Sequence, residues 1–204
     1  MKLQRRIGEF NVVAICAKDL EEQARGLLDK IAELNERGPA IQDGTTIKFG
    51  WSLLTLISDA DELVVWEPDF EKDPHHDLVP QAEHTLRVLT EQMALLRSIG
   101  VEGTDADYLS QVVIAKGCLN ADRIYLERTA VDAPKDSGWY IGEVESAEQE
   151  KVVEDLETMY VYQIFQTRRP LMPVLALPPG YLVVFHGEMI QAIFNDEGSN
   201  VLAI

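Results

Sequence analysis

The chain changes its hydrophobic period repeatedly, and that alternation restricts it to folds mixing short strands with amphipathic helices. Phe10-Asn11-Val12-Val13-Ala14-Ile15-Cys16 is an apolar run of strand length. Leu20, Ala24, Leu27, Leu28, Ile31 and Leu34 then recur at helical spacing until Gly38-Pro39 stops them. Asp19, with Glu22 three residues later, predicts the N-cap of that helix. Thr45–Phe49, Ser52–Ile57 and Glu62–Trp66 return to strand character, with Asp59-Ala60-Asp61 as a turn between the last two.

The second half repeats the mixture. Residues 67–80 carry Pro68, Pro74 and Pro80 and predict an ordered loop. A helix follows to about Ile99, with Ala82, Leu86, Leu89, Met93 and Leu96 on its inner face. Thr104 and Asp107 predict another through Ala115, and Ser146 with Gln149 a fourth through about Gln166. Arg123–Glu127 and Trp139–Ile141 read as strands, and Tyr181–Phe185 with Met189–Phe194 as a closing hairpin. The expected fold class is α+β: a mixed, largely antiparallel sheet with hairpins, packed against four main helices. A soft boundary near Gly117 would divide the chain into lobes 1–116 and 117–204, closely packed or merged into one domain.

The chain has 204 residues, 46% of them apolar, which is enough to bury a core without disulfides or metals. Its 35 acidic and 18 basic side chains leave a net charge of −17. Nucleic-acid phosphate and anionic lipid both require cationic surface, so neither is an expected partner. A charged partner should instead be basic. No window resembles a signal peptide or a membrane span, and Cys16 and Cys118 read as two reduced, buried thiols. A cytoplasmic location is the expectation.

Glycine loops for phosphate, Gly-x-Ser-x-Gly, Cys-x-x-Cys and His-Glu-x-x-His are all missing, and no cofactor is expected. Asp73, His75, His76 and Asp77 are the nearest approach to a metal or hydrolytic site, within the loop 67–77. Adjacent imidazoles on an extended chain point to opposite faces, which favours a solvated acidic loop or a partner-binding one. His84 reads as a helix-boundary residue and His186 as an exposed turn residue.

Charge is concentrated in two windows. Residues 59–77 hold eight carboxylates against Lys72, and residues 143–157 hold seven against Lys151. On the expected helix from Ser146, Glu150, Glu154 and Glu157 share one face. Together with Glu143, Glu145 and the aromatic anchor Trp139, they are the candidate residues for a basic protein partner. The alternatives are a solvated face for the carboxylates and core or strand-edge packing for Trp139.

Arg128, the loop through Pro134, Asp136-Ser137-Gly138-Trp139, Gly142-Glu143-Val144-Glu145 and Leu177-Pro178-Pro179-Gly180 follow one another in order. This series resembles a bacterial family first catalogued as a domain of unknown function, then assigned to the immunity proteins of polymorphic toxin systems. The resemblance covers about residues 112–186. Gly50-Trp51-Ser52 and Glu67-Pro68-Asp69-Phe70 resemble an extension found in longer relatives. The resemblance implies a non-catalytic protein that binds and neutralises a toxin delivered by a neighbouring cell. Asp136-Ser137-Gly138 itself has turn chemistry: two side chains that bond nearby amides, and a glycine that accepts positive φ. That reading makes the tetrad a structural motif that positions Trp139.

Overall fold

Apolar runs that read as strands pair into two six-stranded sheets in the computed structural model, which describes residues 1–133, 135–146 and 155–202. The chain divides into two units, Met1–Thr90 and Glu91–Ile204. In the first, β1 (Lys2–Ile7) and β2 (Phe10–Ile15) form a hairpin, and α1 (Glu21–Arg37) lies against both. β3 (Thr46–Phe49), β4 (Ser52–Asp59) and β5 (Glu62–Pro68) form the expected meander, and β6 (Leu78–Val79) adds to the end of β5. The sheet order is β1-β2-β5-β4-β3, with β2 and β5 parallel and the other pairs antiparallel. Leu27, Leu28 and Ile31 from α1 share a core with Val12, Ala14, Leu54, Leu56, Leu63 and Val65 from the sheet.

The boundary between the units falls inside α2 (Glu83–Ile99). The second unit continues with β7 (Gln111–Ala115), β8 (Arg123–Arg128), β9 (Asp136–Glu143) and β10 (Leu156–Tyr160). A short α3 (Val161–Arg168) runs into a 3-10 segment over Arg169–Ala176, and β11 (Leu182–His186) with β12 (Met189–Phe194) closes the chain. The sheet order is β10-β7-β9-β8-β11-β12, with β7 and β9 its parallel pair. The α+β class and the largely antiparallel sheets hold, but among the described residues there are three α-helices rather than four.

Local signals and tertiary pairing disagree at identifiable places. The expected helix over 104–115 is absent; its second half is β7, whose Val112-Val113-Ile114 run sits between β9 and β10. β-branched side chains suit that pleated position better than a helix. The expected helix over 146–166 is overturned at 156–160, which is strand β10, and among the described residues of that span α-helix begins at Val161. Gln163 accepts from the backbone N–H of Tyr160 at 2.8 Å and so marks the true start of α3. Val152 and Val153 of that expected stripe lie outside the described residues. Asp19 does not cap α1: a 3-10 turn over Lys18–Leu20 precedes it, and Asp19 accepts from Arg87 at 2.8 Å instead. Of the expected inner face at α2, Ala82, Leu86 and Leu96 are buried, but Thr85, Val88 and Gln92 are inside as well and Met93 is 39% exposed. β1 carries Lys2, Gln4, Arg5 and Arg6, and this polarity hid its strand character.

Glu67 departs furthest from its expected surroundings. It belongs to the first acidic window, yet its side chain is 0% exposed. Its carboxylate accepts from the backbone amides of His84 (3.1 Å) and Thr85 (2.8 Å), and from Gln81 Nε2 (3.3 Å). A strand residue thereby caps the start of α2. Burial pushes the Glu67 carboxyl above its ordinary range, against the opposing pull of those two amides. The folded chain therefore holds the Glu67 proton more tightly than the unfolded chain. Between the ordinary carboxylate range and the raised value, stability should fall as pH rises, by at most about 1.4 kcal/mol per pH unit. Glu67→Gln carries no such proton. Denaturant titrations across pH should show the stability difference moving in favour of the variant as pH rises through that window. A constant difference would contradict the assignment.

Candidate functional site

Several residues that carried the family resemblance, Arg128, Asp136–Trp139, Leu177 and Gly180, converge in space. β9 begins at Asp136, earlier than the expected start at Trp139, so the tetrad lies within a strand rather than in a turn before it. The ladder explains why turn chemistry is needed there. Gln111 pairs with Asp136 and Val113 with Tyr140, so β9 bulges over Ser137–Trp139. Asp136 Oδ1 accepts from the Gly138 amide at 2.8 Å, and Ser137 Oγ donates to the Gln111 carbonyl at 2.6 Å. Gly138 has φ +76°, the left-handed region, and its carbonyl accepts from the Thr129 amide at 2.9 Å.

Trp139 emerges from the bulge 1% exposed, with its indole Nε1 donating to the Leu175 carbonyl at 3.1 Å. Arg128 is 4% exposed, and its guanidinium carbon lies 5.6 Å from the centre of the Trp139 ring. That guanidinium donates to five backbone carbonyls: Ser137 (2.9 Å), Thr104 (2.8 Å), Asp105 (3.2 Å), Leu175 (3.3 Å) and Leu177. Nε, Nη1 and Nη2 all donate, and the five acceptors come from three separate stretches of chain, 104–105, 137 and 175–177. Burial lowers its pKa to about 10, so it stays charged at neutral pH. Gly180 closes the circuit by donating its amide to the Arg128 carbonyl at 2.7 Å. No sequence pattern announced this role for Arg128, because its partners are main-chain atoms.

The candidate contact residues are distributed differently. Glu143 ends β9 half-buried, Glu145 is exposed on the following 3-10 turn, and Glu157 is exposed on β10. Glu145 is 3.8 Å from Arg123. Glu150 and Glu154 lie outside the described residues, and Glu157 is on a strand rather than the expected helix face. Trp139 faces the interior.

The loop of the first unit is built on Asp73. Its carboxylate accepts from the His75 amide at 3.0 Å and lies 2.9 Å from His76 Nδ1, which raises the His76 pKa and lowers that of Asp73. The two imidazole rings are 6.2 Å apart, and His75, His76 and Asp77 are exposed. A cavity of about 380 Å³ nearby is lined by Asp69, Glu71, Lys72, Val79, Gln81, Glu83 and His84; Asp73, His75, His76 and Asp77 are not among them. Among the described residues no group of three or more His, Cys, Asp or Glu is placed to hold a metal ion. Cys16 and Cys118 are free and buried, and burial pushes the Cys118 thiol up to about 11, away from nucleophilic use. No helix among the described residues is long and apolar enough to cross a membrane.

The sequence model of the Imm33-like domain matches residues 91–196, just over half of the chain. The match begins where the second unit begins and takes in the whole Arg128–Trp139 network. No curated protein and no solved structure matches the chain.

Proposed function

The chain belongs to the Imm33-like family of immunity proteins, and from that membership we propose that it binds and neutralises a cognate toxin without catalysing a reaction. The observation that carries this reading is the coincidence of the family match with one complete structural unit. The Arg128–Trp139 network is the scaffold of that unit, and its role is structural. The contact surface is acidic and includes Glu143, Glu145 and Glu157; Glu150 and Glu154 of the same sequence window are further candidates and lie outside the described residues. The toxin is a basic protein, and neutralisation takes place in the cytoplasm.

Opposite charge of this kind acts on association. Steered partners reach on-rates of about 10⁸–10⁹ M⁻¹s⁻¹ at low salt. The double variant Glu145→Lys, Glu157→Lys should slow association with the toxin by about tenfold at low salt and flatten its salt dependence. Stopped-flow mixing over a salt series measures both. An unchanged on-rate would remove this surface from the interface.

A further inference from the structure

The two edges of the second sheet are not alike. The edge at β12 is closed by the chain's own tail. Phe194 bridges Asn200, Val201 donates its amide to the Ile193 carbonyl at 2.7 Å, and Ile193 donates to Asn200 Oδ1 at 3.2 Å. The other edge is β10, which among the described residues pairs only with β7.

The β10 register shows which groups face outward. Lys116 donates to the Asp155 carbonyl at 2.9 Å, and Val161 donates to the Ser110 carbonyl at 3.0 Å. The odd-numbered residues from 155 to 161 therefore bond to the β7 side, and the alternation of an antiparallel ladder turns Leu156 and Thr158 the other way. Both direct an N–H and a C=O away from β7, toward an edge that no described strand occupies. Sheet edges are normally blunted by lysine, proline or a bulge. β10 reads Leu-Glu-Thr-Met-Tyr, has an unshifted register and carries none of these. Its one charge is Glu157, exposed at the second position, with exposed Asp155 just before the strand.

We propose that β10 is a strand-addition site, and that the toxin supplies an extended segment with a lysine or arginine opposite Glu157. Backbone bonds to Leu156 and Thr158 give the segment its register, and the cross-strand charge pair selects its sign. A second copy of this chain is a poor occupant, because antiparallel registers of β10 place Asp155, Glu157 or Met159 opposite Glu157 and never a cation. The inference rests on the immunity reading and assigns the surface through which it acts. It also separates two kinetic effects: carboxylates set the on-rate, and edge bonds set the off-rate.

The test uses the full chain and, as probe, a toxin domain sought among the genes that neighbour its own. Proline at 158 removes an N–H that points away from β7, so Thr158→Pro should block strand addition and leave the sheet intact. In the wild-type complex the Leu156 and Thr158 amides should exchange with solvent at least about tenfold more slowly than in the free chain. Thr158→Pro should raise Kd about tenfold or more through faster dissociation, with an unchanged circular dichroism spectrum. Thr158→Val should bind as wild type does. A wild-type complex with unprotected edge amides, or full-strength binding by Thr158→Pro, would overturn the edge and leave the immunity reading standing. Failure of the wild-type chain to bind would overturn the immunity reading and the edge with it. Slow edge exchange in the free chain that depends on protein concentration would assign the edge to a second copy, against the proposal.

Discussion

Arg128→Ala should lower the free energy of unfolding by about 3–5 kcal/mol, read from denaturant or thermal melts. The guanidinium saturates five carbonyls from segments 104–105, 137 and 175–177, and alanine strands those acceptors in a buried place. It also empties the space beside the Trp139 ring, with the usual cavity penalty. Arg128→Lys is an informative partner variant. Lysine keeps the charge but has three donors at one point, so it cannot reproduce the planar fork. It should recover less than half of the loss. Full recovery by lysine would show that charge alone, rather than the five-way geometry, holds these segments.

Gly138→Ala should be comparably severe, about 3–5 kcal/mol or roughly 10 °C in Tm for a chain of this size. Two effects combine there. The φ of +76° places any side-chain-bearing residue in a strained region. A Cβ at 138 would also stand 2.1 Å from the Thr129 carbonyl oxygen, which is backbone and fixed by the β8–β9 pairing. Gly26→Ala is the matching control, because it lies within α1 and a Cβ there meets nothing within 4 Å. It should be neutral or slightly stabilising. A small effect at Gly138 would mean that the bulge rearranges easily, and that the tetrad does not set the course of β9.

Much of the first unit is legible in the sequence because its local and tertiary preferences agree. Phe10–Ile15, Ser52–Asp59 and Glu62–Pro68 have strand composition and find strand partners; the Leu27–Ile31 stripe has a sheet to cover. The second unit is harder because its segments satisfy two periods at once. Leu156, Tyr160, Val161 and Ile164 fit a helical stripe, yet 156–160 pair with β7 and α3 follows them from Val161. That choice is made by β7, a strand some forty residues upstream, and no local window contains it.

The candidate site divides along the same line. Turn chemistry in Asp136-Ser137-Gly138 is a property of those side chains and can be read directly. The placement of Arg128 among backbone carbonyls and of Glu67 on the amides of α2 is invisible, since main-chain acceptors and donors have no letter in a sequence. Net charge misleads in a related way. Glu67 and Asp69 count toward the −17 but are buried, so the first acidic window presents less charge to solvent than its composition suggests.

The most direct measurement is growth of cells that express that neighbouring-gene toxin probe, with and without co-expression of the full chain. The wild-type chain should restore growth and form a complex isolable with the toxin, whereas Thr158→Pro should protect poorly despite normal folding. Growth arrest undiminished by a well-folded, abundant wild-type chain would contradict neutralisation, whatever the family to which the second unit belongs.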